Sequence, residues 1–434
     1  MDWVFQVTER PMHSARQFLA ALLLILAAFG VAPRAFAQEA EPQFANVFST
    51  IHKFSKDGNW PRGGVAVDAA GNIFGTTLYG GNCSACGVIY KLTKPTTGTA
   101  WTFKVLHKFV LGPDGIAPTG PLTVFNGKIY GTTSAGADTS CGCGEVFKLT
   151  PSGSSYVYQV IHRFDRTHGT APIGGVLVAS DGTIYGATTG GGANQAGVIY
   201  KITPGGAFSV MHSFTGGFGS GPQGELMIGK GSAIYGATFG GGKYNQGVVF
   251  RITKAGAYSV LYNFKGIYQF PPSHDGANPE GRLALGPDGT IYGTTTTGGN
   301  ASGYGTAYSL KPPATTTGAW TYKQLYIYGS ALGAPNLPHS GFVRDSSGSL
   351  YGTSAGGGAS GGGTLYRLDP PTSGSAWKVK VLRSFKAMDA AGDSPYGVLL
   401  LNKGVIYGTT LTGGDRSANC PKGLTGCGTV FLYK

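Results

Sequence analysis

Residues 73–93 contain Ile73-Phe74-Gly75-Thr76-Thr77, a Gly80-Gly81 loop, and Gly87-Val88-Ile89-Tyr90-Lys91-Leu92-Thr93. Two short runs rich in β-branched and aromatic residues, bounded by glycines, are the signature of paired strands. The aromatic-Gly-Thr/Ala element recurs at Tyr130-Gly131-Thr132, Tyr185-Gly186-Ala187, Tyr235-Gly236-Ala237, Tyr292-Gly293-Thr294, Tyr351-Gly352-Thr353 and Tyr407-Gly408-Thr409. Successive glycines are 56, 55, 50, 57, 59 and 56 residues apart, so the chain is seven copies of one unit. The first unit reads as four strands, Gly64–Asp68, Ile73–Thr77, Gly87–Thr93 and Trp101–Phe109. The glycine after each aromatic is expected to let neighbouring sheets approach closely.

The ends of the chain decide between an open array and a ring. A fourth-strand element, Ile51-His52-Lys53-Phe54, stands before any complete unit, and the last unit stops after its third strand at Lys434. Pairing Val47–Phe54 with Val430–Lys434 completes a ring, whereas a linear solenoid wants polar caps. The predicted fold is therefore all-β: a seven-bladed β-propeller of four-stranded antiparallel blades, closed by an N-terminal strand that completes the last blade. Composition agrees. The chain of 434 residues has 75 glycines and 24 prolines, which disfavour helices, and its 12% aromatic content can build a core.

Residues 1–37 read as a signal peptide: Arg10 and Arg16, an apolar run from Phe18 to Ala32, and Ala35-Phe36-Ala37 as cleavage site. A short spacer, 38–45, then leads into the propeller at 46–434, with a period of about 55 residues. The expected product is extracytoplasmic and monomeric, with no stable membrane insertion after cleavage. The formal net charge is +13, but the basic residues are scattered singly, which points to a solvated surface rather than a dedicated polyanion site. No P-loop, zinc-protease or nucleic-acid motif occurs, and Gly358-Ala359-Ser360-Gly361-Gly362 lies in a loop where a nucleophile elbow needs a strand and a helix. No cofactor and no nucleic-acid partner are expected.

The repeat Ile-Tyr-Gly-Thr-Thr-x-x-Gly-Gly followed by Gly-Val-Ile-Tyr-Lys-Leu-Thr resembles the GloVer repeat of bacterial exported choice-of-anchor tandem-repeat proteins, over roughly residues 46–434. The resemblance implies an extracytoplasmic bacterial protein. A weaker likeness is to kelch propellers, whose copper site has no counterpart residues here.

Two loop sets, between strands two and three and between strand four and the next strand one, should share a face, where function is expected. The second set carries Asp57-Gly58-Asn59-Trp60-Pro61, Asp114-Gly115-Ile116-Ala117-Pro118, His168-Gly169-Thr170-Ala171-Pro172 and Asp275-Gly276-Ala277-Asn278-Pro279. It drifts to Gly219-Ser220-Gly221-Pro222, Gly333-Ala334-Pro335 and Gly392-Asp393-Ser394-Pro395. Asp-Gly suits a turn; its functional reading is a ring of carboxylates and polar backbone over the channel. Trp60, Tyr79, Phe239, Tyr244 and Tyr304 add aromatics that could stack on sugar faces. Asp57, Trp60, Asp114, His168, Asp275, Asp393, Tyr79, Tyr244 and Tyr304 are thus the ligand-binding candidates.

The cysteines fall in the two-to-three loops as Cys83/Cys86, Cys141/Cys143 and Cys420/Cys427, and are read as local disulfides. The alternative is a thiolate zinc site. His52, His107, His162 and His212 share one slot in the fourth strand, on different blades, and cannot converge on a metal. The leading functional expectation is a non-enzymatic exported binding or interaction module for glycan or another surface polymer. The alternatives are a polysaccharide- or lactone-active enzyme using loop carboxylates, and a purely structural surface repeat protein.

Overall fold

The computed structural model describes residues 46–434 apart from 138–139, 267–273, 316–317, 330, 416–419 and 421–425. The signal-peptide and spacer readings therefore lie outside the described residues.

Seven four-stranded antiparallel sheets form the blades. In blade 1 the strands are Val65–Val67, Ile73–Thr77, Val88–Thr93 and Thr102–Lys108, in that spatial order. They stop short of the expected ends at Gly64 and Gly87, whose φ angles of 78° and 85° leave the pleat. First strands of neighbouring blades contact one another, so they line the axis. Blade 7 is completed as predicted: Phe48–Lys53 pairs antiparallel with Thr429–Tyr433, Phe48 opposite Tyr433 and Lys53 opposite Thr429. No α-helix occurs among the described residues.

Alternation in short strands turns one side chain in two toward each neighbouring blade. The core is accordingly divided into seven apolar clusters, each shared between adjacent blades. The cluster of Phe54, Tyr90, Tyr407 and Val430 joins blade 7 to blade 1 and so closes the ring.

The signature glycine has a different task from the expected one. A Cβ on Gly75, Gly186 or Gly293 would lie 2.2, 2.1 or 2.4 Å from the hydroxyl of Tyr90, Tyr200 or Tyr308. On Gly131, Gly236 or Gly408 it would lie 2.5, 2.5 or 2.4 Å from the ring of Phe147, Phe250 or Phe431. Each glycine is the cross-strand partner of that aromatic in its own blade, as Gly75 is of Tyr90. The space it leaves is filled by a ring of the next strand, not by the neighbouring sheet.

A register shift recurs between the third and fourth strands of blades 1 to 6 and at the closing strand. Such bulges re-aim side chains. Beside six of these seven shifts the outer strand stacks a flat group on the next blade. His52 lies on Phe103 at 4.3 Å, His107 on Tyr158 at 4.1 Å, His162 on Phe208 at 3.8 Å and His212 on Tyr258 at 3.9 Å. Tyr262 stacks on Tyr322, and Arg383 covers Phe48, so the belt continues at these two blades where histidine is replaced.

Burial lowers His52 and His162 to about 4, and lowers His212 as well. Unfolded histidine titrates near 6.5. Between pH 6.5 and about 4 the unfolded chain binds more protons than the folded one, so stability is steady above pH 6.5 and falls as pH drops through that window. We expect the midpoint of thermal unfolding to be several degrees lower at pH 4.5 than at pH 7.5. His52→Phe with His162→Phe should flatten that dependence; an unchanged slope in the double variant would refute the assignment.

Candidate functional site

In every blade a left-handed residue precedes a proline at the end of the four-to-one loop. Trp60, Ala117, Ala171, Gly221, Asn278, Leu337 and Ser394 have φ between 51° and 60°. In blade 6 this aligns Leu337-Pro338 with the other blades and corrects the Gly333-Ala334-Pro335 alignment by three residues. Pro335–Asn336 instead pairs with Gly356–Gly357, as Gly115–Ile116 does with Ala135–Gly136 in blade 2.

The turn stitches three segments together. Trp60 N–H donates to Cys427 O of blade 7, and Trp60 O accepts from Leu78 of its own blade. Ala117 and Ala171 likewise donate to Cys86 O and Cys143 O of the preceding blades. The second cysteine of each pair thus holds the carbonyl that joins the next blade. Disulfides join Cys83 to Cys86, Cys141 to Cys143 and Cys420 to Cys427, with Cα atoms 5.3, 5.2 and 5.6 Å apart. Both thiols of each pair are consumed, which removes the zinc alternative. Among the described residues no group of three or more His, Cys, Asp or Glu is placed to hold a metal. No helix among them is long and apolar enough to cross a membrane.

Two of the four loop carboxylates are bound into their own loops. Asp275, 5% exposed, accepts the Tyr262 hydroxyl at 2.6 Å and the N–H groups of Lys265 and Gly266. Asp393, 4% exposed, takes the Met388 N–H and the Thr412 hydroxyl. Asp114 pairs with His107 at 2.9 Å, and exposed His168 pairs with Asp165 at 2.8 Å. Asp57 is exposed. Trp60 and Tyr79 meet at 5.4 Å between centroids; Tyr244 lies under Lys243; Tyr304 packs on the core between blades 5 and 6. The structure brings Trp60 and Tyr79 together, and none of these candidates lines the axis.

What lines it is the residue after each proline. Arg62, Thr119, Ile173, Gln223, Glu280, His339 and Tyr396 surround an axial space of about 60 Å³. These residues stand between the loop face and the first strands, at the mouth of the channel. Behind them glycines bring the blades' backbones into contact. A Cβ on Gly63 would lie 2.4 Å from Gly120 O, on Gly120 2.4 Å from Gly175 N, on Gly224 2.4 Å from Glu280 O, and on Gly281 2.2 Å from Gly341 N. This collar holds adjacent blades together around the channel. Beyond it the channel opens to about 510 Å³ among aliphatic side chains including Leu177, Met227, Leu285, Val343 and Leu401, and Arg282 borders both spaces.

One side of the collar is a connected polar cluster. Glu280 accepts the Tyr396 hydroxyl at 2.8 Å and meets His339 Nδ1 at 3.0 Å. Tyr396 stacks on His339 at 4.3 Å, and the Arg62 guanidinium lies over the Tyr396 ring at 4.8 Å while donating to its hydroxyl at 3.2 Å. Burial alone would raise the Glu280 pKa; the hydrogen bond and charge of His339, then Tyr396 and Arg62, outweigh it and hold the carboxyl below the usual range. Burial, followed by the charge of Glu280, pushes Tyr396 up to about 12. The cluster therefore offers an ionised carboxylate, an un-ionised phenol, an imidazole and a guanidinium within one concave space. Sequence reading stopped at the proline and missed it. The signal was there: between a fixed Pro and a nearby Gly, one position differs in all seven units.

Among solved structures the chain is similar to a gluconolactonase of Xanthomonas campestris, at 12% identity over 89% of this chain and 88% of that one, TM-score 0.43. It is also similar to a Bacteroides uniformis protein provisionally named a 6-phosphogluconolactonase, at 10% identity over 76% and 86%, TM-score 0.48. No curated protein matches the sequence. Residues 126–336, just under half of the chain, match the model of the Gloeobacter/Verrucomicrobia repeat, and over that stretch the chain is similar to proteins of that repeat family.

Proposed function

We propose that the protein is an exported, non-enzymatic binding module that holds a hydroxyl-rich ligand, a glycan of a surface polymer, at the channel mouth on its loop face. One observation carries this reading. Seven blades built to one pattern present seven different side chains at a single axial position, four of them polar and mutually bonded. A position that served packing alone would repeat, as the glycine and aromatic slots do. Function is carried by sites placed on a fold, and concave spaces with a few convergent polar groups are where ligands bind. Trp60 with Tyr79, together with half-exposed Phe239 and Tyr244, supplies aromatic surface on the loops around that mouth. The disulfides and the apolar leader support export.

The test is a glycan array with oxidised protein, residues 38–434, followed by titration of the hits. Tyr396→Phe and Glu280→Gln should each weaken binding at least tenfold while the protein stays folded at the assay temperature, since both nearly keep their volume. Unchanged affinity in both variants would reject the channel mouth as the site. A second reading, hydrolysis of the bound saccharide, is favoured by the Glu280–His339 contact, which has the form of a base and its orienting partner. It predicts turnover of the array hits that Glu280→Gln abolishes.

A further inference from the structure

The charges at the channel mouth are unevenly matched. Arg282 is paired with Glu225, while Glu280 contacts His339 and feels the charge of Arg62 without touching it. Arg62 has no ion-pair partner among the described residues. Its guanidinium is nonetheless fixed, because Tyr396 holds it through the ring face and the hydroxyl, and Glu280 in turn holds Tyr396. Arginine has five N–H donors in a planar fork. Here one is given to Tyr396, and no other side-chain acceptor among the described residues takes the rest. A held guanidinium with its fork unfilled is preorganised for a planar, bidentate acceptor, and carboxylate fits that geometry.

Size narrows the choice further. The space of about 60 Å³ holds roughly four waters at about 15 Å³ each. An end group enters it; a pyranose ring stays outside among the loops. The net charge of +13 draws anionic ligands toward the protein.

We infer that the channel mouth is an end-on receptor for the carboxylate of an acidic saccharide, with Arg62 gripping the carboxylate through two N–H groups. Thr119 and Gln223, on the same rim, face the hydroxyls of the attached sugar. This inference rests on the glycan-binding reading and adds the class of ligand and its orientation: a uronic acid at a chain end, not an internal stretch lying across the face.

The experiment is calorimetric titration of the oxidised protein with trigalacturonate and with the same trisaccharide after its carboxyls are reduced to alcohols. The acidic form should bind at least tenfold tighter in 50 mM salt, with that advantage shrinking at 500 mM. Arg62→Gln should erase the preference, and Arg62→Lys should keep part of it, because lysine supplies the charge without the fork. Equal affinity for the two trisaccharides, or a preference that survives Arg62→Gln, overturns the inference. If neutral glycans bind and Tyr396→Phe weakens them, the binding reading stands and the carboxylate assignment alone fails. If neither trisaccharide binds and the array is blank, both fail.

Discussion

A chain lacking residues 46–54 will not form a cooperative ring. The deletion removes Phe48–Lys53, the only partner among the described residues of the outer side of Thr429–Tyr433. Five ladder residues in the last strand would then lose their partners, leaving an apolar edge free to pair with other chains. Side chains go with the backbone. Phe54 is 1% exposed in the cluster between blades 7 and 1, Ile51 packs against that cluster, and Phe48 lies on Phe431 at 5.3 Å between centroids. Three such residues at about 1.5–3 kcal/mol each approach the whole stability of an ordinary domain, about 5–15 kcal/mol. Blade 7 also loses Arg383 on Phe48 and His52 on Phe103, so the outer belt opens at two adjacent junctions. The expected result is aggregated or domain-swapped material by light scattering, without a single sharp unfolding transition. A synthetic peptide of residues 46–54 should restore part of the transition. A monomer that unfolds at the native temperature without this segment would show that the ring is not held by its closure.

Closure, blade number and strand order were legible because they rest on what repeats: the period of two along strands, the glycine after an aromatic, and a fourth-strand element displaced to the start. The reasons behind the repeats were less legible. Gly75 is invariant among the units because the Tyr90 ring lies over it, a cross-strand contact that the linear sequence separates by fifteen positions. The blade 6 loop was aligned on Pro335 when Pro338 is the structural equivalent, because two prolines three residues apart offer the same local signal and only the left-handed residue before the second distinguishes them. The site was hidden for the opposite reason. Arg62, Glu280, His339 and Tyr396 lie far apart in the chain and share no residue type, so a search for similarity passes over them. Their common feature is a place in the repeat. The loop aspartates drew attention by recurring, yet Asp275 and Asp393 recur as anchors of turns, with their oxygens already engaged by neighbouring N–H and hydroxyl groups.

The collar yields the other large effect. Gly281→Ala should destabilise the protein by about 3 kcal/mol, the upper range of overpacking. The φ of Gly281 is not in the left-handed region, so its own backbone accepts alanine. The penalty lies in what the methyl meets: Gly341 N at 2.2 Å and Gly341 Cα at 2.6 Å, both main-chain atoms of the next blade. No rotamer change relieves a contact with backbone. Blades 5 and 6 must separate, and in a closed ring of packed blades that displacement is transmitted to the other interfaces. Gly217→Ala is the matched control, since Gly217 is exposed with nothing within 4 Å of its added carbon, and it should change stability by less than about 0.5 kcal/mol. The same contact sets the site, because Gly281 follows Glu280 directly and Gly341 lies two residues after His339. Moving these backbones apart lengthens the 3.0 Å contact between Glu280 and His339. Denaturant titration should therefore show a lowered midpoint for Gly281→Ala, and binding of any glycan held by Tyr396→Phe-sensitive contacts should weaken well below the unfolding transition. Native stability with weakened binding would assign the collar to the ligand alone; native stability and native binding together would mean that the backbones do not touch as described.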